Sequence, residues 1–164
     1  VTVQSASGPA PVIVPIAYDF TDVTGGVGAF EVFVTYNTSE VTFVSGTPDA
    51  TIDGLGTYTI VENTAGTIEL LFSIPTAAIP ATGFLADLEF NPAPGSLLDT
   101  PYPISGSIEE LREYSTSVVV TNTYEFNDGT VEFTAYPTPI RNWAIYLTIG
   151  LIVVFGAFMV RRMV

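Results

Sequence analysis

The sequence predicts an all-β fold, a two-sheet antiparallel jelly roll of about nine strands, followed by one C-terminal transmembrane α-helix. Three observations carry this prediction. Short alternating or β-branched runs recur between clusters of Gly, Pro, Asn and Asp over residues 1–135. No segment of that region has a helical hydrophobic period. Residues 143–160 then form an uncharged apolar run, which at 1.5 Å per residue spans roughly 27 Å of a bilayer.

Nine segments have the β-branched and aromatic composition of strands. They are Val12–Tyr18, Phe30–Tyr36, Val41–Ser45, Tyr58–Glu62, Thr67–Ile74, Phe84–Phe90, Ile104–Leu111, Ser117–Tyr124 and Thr130–Ala135. In the second segment, alternation places Phe30 on one face together with Val32, and Glu31 and Phe33 on the other. Hairpin turns are predicted at Asn63–Gly66 and at Asn127–Gly129, because both contain residues that favour tight turns.

Four parts of the chain are predicted from composition. They are an extracytoplasmic body over residues 1–136, a Pro-containing linker over 137–142, a transmembrane helix over 143–160 and a cytoplasmic basic tail over 161–164. The charge follows this division. The first 139 residues contain all 17 acidic residues and one Arg, a net charge of −16, whereas the last 25 carry three Arg and no acid.

The apolar run has the flanks of a membrane anchor. Aromatic residues prefer the bilayer interface, terminal arginines reach the headgroups, and small residues allow another helix to approach closely. The predicted anchor residues are Trp143, Tyr146, Gly150, Gly156, Arg161 and Arg162. Positive charge at the C-terminus predicts a single-pass protein of the cell or inner membrane, with the body on the periplasmic or extracellular side. A start at Val1 without Met is expected of a chain whose signal peptide was removed.

The composition excludes several chemistries. The chain has no Cys, His or Lys, so it cannot form a disulfide, a Ser-His-Asp triad, an imidazole metal site or a lysine Schiff base. A net charge of −13 disfavours nucleic-acid binding, which needs clustered cations. The closest carboxylate pairs are Glu109-Glu110 and Asp19 with Asp22, but adjacent acids on a strand point to opposite faces. We therefore predict no enzyme, no catalytic residue and no bound cofactor.

Two polar motifs lie in predicted turns. Asp19, Asp22 and Asp128 are weak candidates for a calcium site, because Ca²⁺ prefers clustered loop oxygens. Their spacing does not match an EF-hand, and the alternative is that they are solvated turn residues. Asn37-Thr-Ser39 matches the N-glycosylation triplet, although a bacterium is expected to leave it unmodified.

Five segments, in order, resemble those of cohesin domains, the jelly-roll modules of cellulosome scaffolds and of other microbial surface proteins. Val12–Ile16 resembles the early V-x-V-P-V strand, and Val27–Phe43 resembles the central G-x-x-x-F-x-x-x-x-Y-D-P-x-x-L-x-F segment. Gly66–Phe72, Gly83–Phe90 and Asn127–Phe133 resemble the strands G-x-I-x-x-x-F, G-x-L-A-x-I-x-F and D-G-x-I-x-V. The resemblance implies a jelly roll that acts through protein–protein contact.

Two positions depart from that pattern. Asn37-Thr38 stands in place of the Asp-Pro pair, and Gly8–Pro11 in place of a Pro-Gly-Asp turn. Because only some members bind dockerins, no dockerin-binding residue is assigned from the resemblance. The segment from Pro137 to Val164, with its Pro-Thr-Pro-Ile motif, a Trp, an apolar run and a final Arg-Arg, resembles exosortase-type sorting tails.

These observations favour a non-enzymatic, membrane-anchored accessory or structural subunit of a membrane protein complex. Its expected partners are other protein subunits in or at the membrane and the lipid bilayer. One alternative is a surface-layer, filament or adhesion protein exported through its sorting tail. Another is a carbohydrate-binding module that uses exposed aromatic residues. The candidates for that role are Tyr36, Tyr58, Tyr102, Tyr114 and Tyr124.

Overall fold

A computed structural model of the chain describes residues 1–120 and 124–135. These residues contain ten strands, which form two β-sheets, and one short helix. The strands are β1 (Thr2–Val3), β2 (Ala6–Gly8), β3 (Val12–Asp19), β4 (Val27–Tyr36), β5 (Val41–Pro48), β6 (Thr57–Thr64), β7 (Thr67–Ser73), β8 (Thr82–Pro92), β9 (Pro101–Glu113) and β10 (Gly129–Phe133). The helix α1 (Ala50–Asp53) is four residues long and begins after Asp49, whose side chain accepts a hydrogen bond from the Thr51 N–H.

The two sheets differ in size. The smaller sheet has the strand order β1-β3-β8-β5, and the larger sheet has the order β2-β10-β9-β4-β7-β6. Strands β2 and β10 run parallel to each other, and the remaining pairs in these two sheets are antiparallel. The predicted all-β sandwich is confirmed, and the parallel pair is a departure from the predicted antiparallel arrangement.

The hydrophobic core is built from the inward-facing residues of both sheets. Along β3 every second side chain is buried, as expected for a strand with one face in the core. Phe30 and Phe72 of the larger sheet stack with their ring centroids 5.5 Å apart, and Tyr58 contacts Phe30 edge-on at the same distance. Among the described residues, no polar or charged residue is fully buried. The sandwich is therefore stabilised by apolar packing and by the strand hydrogen bonds.

Most of the predicted strands are confirmed. Eight of the nine overlap an observed strand, and several observed strands are longer, such as β9, which extends the predicted Ile104–Leu111 in both directions. Strands β1 and β2 were missed, because two and three residues are too few to show a period of two. The helix α1 was also missed, because its four residues are too few to show a helical period.

The predicted strand Ser117–Tyr124 is wrong for the residues that the structure describes. Residues 117–120 form no strand and make one isolated bridge, between Val119 and Arg112. Ser117 has a left-handed backbone conformation with φ +57°, and its N–H donates to the carbonyl of Glu113 at 2.9 Å. The chain therefore turns back sharply after β9, and Val118 stays exposed. Residues 121–123 lie outside the described residues.

The two predicted hairpin turns have different outcomes. The Asn63–Gly66 turn is confirmed, because β6 pairs antiparallel with β7 across it and Gly66 has φ +85°. The Asn127–Gly129 hairpin is wrong, because β10 has β9 and β2 as its neighbours. Gly129 instead allows a close approach, since a Cβ at this position would lie 2.4 Å from the carbonyl oxygen of Val3.

Within the described residues, no helix is long and apolar enough to cross a membrane. The predicted linker 137–142, the apolar run 143–160 and the basic tail 161–164 lie outside the described residues. The same holds for the predicted anchor residues. These are Trp143, Tyr146, Gly150, Gly156, Arg161 and Arg162.

Candidate functional site

The outer surface of β9, β4, β7 and β6, here called the β9-β4-β7-β6 face, combines acidic and apolar side chains. Because Phe30 and Val32 are buried, alternation directs Glu31 outward. The strand register then places Glu31 between Glu110 of β9 and Leu71 of β7. Directly opposed residues on neighbouring strands have Cβ atoms about 4.5–5.5 Å apart, so the two carboxylates and the leucine are direct neighbours.

The next row of the face continues this mixture. Phe33 lies beside Glu69, and Glu69 lies beside Val61 of β6. Phe33 is half-buried, and Leu71 and Val61 each expose 37 % of their surface. Apolar side chains with charged neighbours are the composition of a protein–protein interface, in which an apolar centre has a polar rim.

Glu31 is the carboxylate most affected by its surroundings on this face. Partial burial, followed by repulsion from Glu69, Glu110 and Glu109, raises the pKa of Glu31 above its usual value. The ionised carboxylate is therefore destabilised in the folded state. A positive charge brought next to Glu31 would relieve this repulsion.

Glu110 differs from Glu31 because it is paired with a cation, Arg112. The Arg112 guanidinium makes two hydrogen bonds to the Glu110 carboxylate, from Nε to Oε1 and from Nη2 to Oε2, the second at 3.1 Å. The hydrogen bonds from Arg112 lower the pKa of Glu110, and the same interaction raises the pKa of Arg112. Arg112 is the only basic residue among the first 139, so it neutralises one carboxylate and leaves Glu31 without a paired cation on this part of the sheet.

An open groove of about 710 Å³ lies at the end of the face where β4 begins. Its lining includes Glu31, Leu71 and Arg112, together with the residues that follow β7 and β9. Ile74, the first residue after β7, exposes 80 % of its surface and has φ +54°. A β-branched residue in the left-handed region is a true backbone outlier, because its Cβ substituents crowd the carbonyl oxygen.

One wall of the groove depends on a glycine. A Cβ at Gly28 would lie 2.7 Å from the Cα of Tyr114, so only glycine lets the chain after β9 pass this close to β4. Tyr114 is held there by two hydrogen bonds, from its N–H to the Gly26 carbonyl at 2.8 Å and from its hydroxyl to the Thr76 carbonyl at 3.1 Å. The wall is therefore fixed to both the β4 and the β7 ends of the groove.

The structure only partly assembles the predicted calcium candidates. Asp19 and Asp22 line a surface pocket of about 300 Å³ with Glu125 and Asn127, and Asp128 is not in its lining. The Asp19 carboxylate accepts hydrogen bonds from the N–H and hydroxyl of Thr21 at 3.1 and 2.8 Å, which lower its pKa. Residues 1–120 and 124–135 contain no group of three or more acidic side chains arranged to hold a metal ion. Calcium binding stays a prediction.

The two acids of the predicted Glu109-Glu110 pair have different hydrogen-bond partners in the structure. Glu109 accepts a hydrogen bond from the Ser107 hydroxyl at 2.7 Å, whereas Glu110 binds Arg112. A β-bulge lies at this point, because Glu110 pairs with Glu31 and Ile108 pairs with Val32, which leaves Glu109 without a pairing partner on β4. The close pair across strands is instead Glu31 with Glu110.

The tyrosines proposed for carbohydrate binding do not form an exposed strip. Tyr58 packs against Phe30 and Phe72 in the core, and Tyr102 is buried. Tyr36 and Tyr124 are partly buried against the core, and of the five only Tyr114 counts among the exposed large side chains. Of these five tyrosines, only Tyr114 is therefore exposed enough for a sugar to stack on.

Three residues of the face and its groove, Leu71, Ile74 and Arg112, were not predicted from the sequence. Alternation predicts the outward position of Glu31 and Phe33, but the neighbours of Glu31 depend on register between distant strands. The unusual position of Ile74 has no sequence signal, since isoleucine is typical of strands.

Three solved structures similar to this chain are cohesins. The seventh ScaB type I cohesin from Pseudobacteroides cellulosolvens is 15 % identical and matches 84 % of this chain and 94 % of its own, with a TM-score of 0.68. The sixth cohesin of Acetivibrio cellulolyticus scaffoldin B, in complex with a Cel5 dockerin mutant, is 20 % identical over 80 % and 96 %, with a TM-score of 0.66. A non-cellulosomal cohesin from the archaeon Archaeoglobus fulgidus is 14 % identical over 86 % and 94 %, with a TM-score of 0.58.

No family model and no curated protein sequence matches the chain. The similarity to solved structures is therefore a similarity of fold. It covers most of this chain and nearly the whole of each cohesin. The β-sandwich of this protein has the cohesin fold.

Proposed function

We propose that the β-sandwich is a non-enzymatic protein-binding module and that its partner docks on the β9-β4-β7-β6 face. The observation that carries the proposal is the position of Glu31, which lies between Glu110 and the exposed Leu71 and has no paired cation among the described residues. Its complement is a partner protein that presents a Lys or Arg beside an apolar side chain. Such a partner would neutralise Glu31 and cover Leu71 in one contact.

The neighbouring groove supports the same assignment. Ile74 offers an apolar contact at its rim, while the Glu110–Arg112 pair sets the charge beside it. Charge complementarity gives association rate and specificity, and buried apolar contacts give most of the affinity. The solved cohesins of similar fold include complexes with dockerins, which supports a protein as the partner.

Site-specific photo-crosslinking in source-cell membranes tests this function. A photoreactive residue replaces Leu71 on the proposed face or, as a matched control, Thr42, an exposed residue of β5 in the smaller sheet. We expect one discrete crosslinked protein from position 71, none from position 42, and loss of the product when Glu31→Arg is added. Equal crosslinking at both positions, or no product at position 71, would overturn the proposal.

We further propose that the apolar run 143–160 anchors the module, as an accessory or structural subunit of a complex in the cell or inner membrane. The support is the length and uncharged character of this run and the Arg161-Arg162 pair that follows it. The full chain should remain in the membrane fraction after alkaline carbonate extraction, and a chain ending at Ala135 should be released. Release of the full chain would contradict anchoring.

The alternative, a surface-layer, filament or adhesion protein, is favoured by the resemblance of the tail to sorting signals. It predicts that cell-surface material contains a shortened chain. C-terminal mass spectrometry distinguishes the two: a mature end near Pro137 supports export through the tail, and an end at Val164 supports a permanent anchor.

A further inference from the structure

The turn between β4 and β5 carries a motif that the β9-β4-β7-β6 face does not use. Asn37-Thr38-Ser39 is the single Asn-x-Ser/Thr triplet in the 164 residues, since none of the other asparagines has Ser or Thr two positions later. We propose that Asn37 is an acceptor site for an N-linked oligosaccharide. This inference rests on the proposed membrane anchor and on the predicted extracytoplasmic position of the body, because transfer of the oligosaccharide takes place outside the cytoplasm.

The triplet is accessible in the folded chain. Asn37, Thr38 and Ser39 are all exposed. The Asn37 carbonyl accepts hydrogen bonds from the N–H groups of Glu40 at 3.0 Å and Val41 at 2.9 Å. The backbone itself therefore holds the turn, so a modification of the Asn37 side chain would not remove the bonds that form it.

The side-chain geometry leaves the reactive atom free. The Asn37 Oδ1 accepts hydrogen bonds from the Ser39 N–H at 3.1 Å and from the Ser39 hydroxyl at 2.8 Å. Its Nδ2 has no hydrogen-bond partner among the described residues. Two donors on Oδ1 draw electron density from the amide and make the Nδ2–H bond more acidic, which assists the proton loss that N-glycosylation requires. The same turn geometry occurs at Asp19 with Thr21, but a carboxylate has no nitrogen to modify.

The transfer needs a lipid-linked oligosaccharide, with the sugar bound through its anomeric carbon to a polyprenyl phosphate or diphosphate, and a membrane oligosaccharyltransferase. A bond forms between Asn37 Nδ2 and the anomeric carbon. The bond from that carbon to the phosphate oxygen breaks, and the lipid phosphate leaves with the electron pair. Nδ2 loses one proton to a basic group of the transferase, so no oxidant or reductant is involved.

A glycan on Asn37 is compatible with partner binding. Asn37 directly follows the last residue of β4 and comes six positions after Glu31. At about 3.3 Å per residue the two are roughly 20 Å apart. The groove lies at the opposite end of β4, near Gly28. The oligosaccharide would therefore cover the β4–β5 end of the sandwich and leave the groove open.

The test is glycopeptide mass spectrometry of the full chain isolated from its source-cell membranes, after cleavage at glutamate residues. We expect the peptide containing Asn37 to carry one oligosaccharide, the Asn37→Gln and Ser39→Ala variants to lose it, and the Ser39→Thr variant to keep it. Asn63→Gln, at an exposed asparagine without the triplet near the end of β6, is the matched control and should not change the modification.

A cell-impermeable protease applied to intact cells or spheroplasts separates this inference from the proposed location. If the body is digested from outside and the Asn37 peptide is unmodified in all of the isolated chain, the glycosylation site is overturned and the location stands. If the body is protected, the extracytoplasmic location is overturned, and an unmodified Asn37 overturns the glycosylation site as well. A modified peptide in Ser39→Ala would also contradict the assignment.

Discussion

Glu31 of β4 and Glu110 of β9 occupy paired positions on adjacent strands, so two carboxylates oppose each other on the outer surface of the larger sheet. Arg112 binds Glu110. The pKa of Glu110 is consequently lowered, by its hydrogen bonds from Arg112, while that of Glu31 is raised by burial and by the surrounding carboxylates. The folded chain thus maintains a local repulsion that a basic partner would remove.

Replacing Glu31 should stabilise the free protein in a pH-dependent way. Because the pKa of Glu31 is raised in the folded state, ionisation opposes folding as the pH rises from the usual glutamate pKa through the raised value. We expect Glu31→Gln to raise the free energy of unfolding by about 0.2–1 kcal/mol near pH 7 and to have little effect at about pH 3.5, where the unfolded chain is also protonated. Urea unfolding at the two pH values measures this.

The matched control for this experiment is Glu132→Gln. Glu132 of β10 pairs with Pro101 of β9 and therefore has no carboxylate opposite it on that strand. Its replacement should change the stability at neutral pH less than Glu31→Gln does. An equal gain for Glu31→Gln at both pH values would show that charge repulsion is not the cause.

Replacing Ile74 should have opposite effects on stability and on binding. Asparagine tolerates the left-handed conformation better than a β-branched residue, and Ile74 buries little surface, since it is 80 % exposed. We expect Ile74→Asn to increase the free energy of unfolding by about 1 kcal/mol and to weaken partner crosslinking at position 71. Leu97→Asn, at a residue that is 69 % exposed and remote from the groove lining, should change neither. A loss of stability in Ile74→Asn would contradict the strain argument.

Two glycines with positive φ should differ in their tolerance of alanine. Gly66 has φ +85° and Gly95 has φ +94°, so both substitutions carry a conformational cost of about 1 kcal/mol. A Cβ at Gly66 would also lie 2.8 Å from the carbonyl oxygen of Tyr36, whereas a Cβ at Gly95 meets nothing within 4 Å. We expect Gly66→Ala to be the more destabilising by at least about 1 kcal/mol, as measured by urea unfolding. If the two variants lost the same free energy of unfolding, the β6–β7 turn would be able to move away from the end of β4 and so avoid the contact with the Tyr36 carbonyl.

Tyr36 should titrate at unusually high pH. Its hydroxyl donates a hydrogen bond to Glu62 at 2.5 Å and accepts one from the Phe43 N–H at 3.3 Å. Burial, followed by the hydrogen bond to Glu62, raises the pKa of Tyr36 to about 12. The resulting stabilisation is present below the usual tyrosine pKa near 10 and is lost as the pH rises towards 12.

NMR titration of ¹³C-labelled tyrosine measures this directly. A tyrosine resonance that shifts only near pH 12 and is missing from Tyr36→Phe would identify the group. Tyr36→Phe should also reduce the drop in stability between about pH 10 and 12. A Tyr36 resonance that titrates near pH 10 would show that the contact with Glu62 does not persist in solution.

Much of the fold follows from local patterns. The alternation in Phe30–Tyr36 predicts both the strand and the outward position of Glu31, because successive side chains on a strand point to opposite faces. The Asn63–Gly66 turn is likewise predicted from its own residues, since it needs a residue that tolerates positive φ.

The failures have equally specific causes. Val118, Val119 and Val120 have strand composition, but after the turn at Ser117 they make two backbone hydrogen bonds and one isolated bridge to the end of β9, which is too little pairing for a strand. Gly129 has the sequence signature of a hairpin turn, yet its glycine serves the close approach to Val3. At Gly129 a contact with a distant segment outweighs the local preference.

The sequence by itself determined the strand periodicity, the acidic charge of the body and the absence of Cys, His and Lys. Those properties are local or additive, so they can be derived from the residues alone. The tertiary structure decided which residues meet. Glu110, Glu31 and Leu71 come together through the register of three strands, and Ile74 is exposed through the path of the chain after β7. Register depends on how both sheets pack onto one core, because a shift of one residue would turn every buried side chain outward.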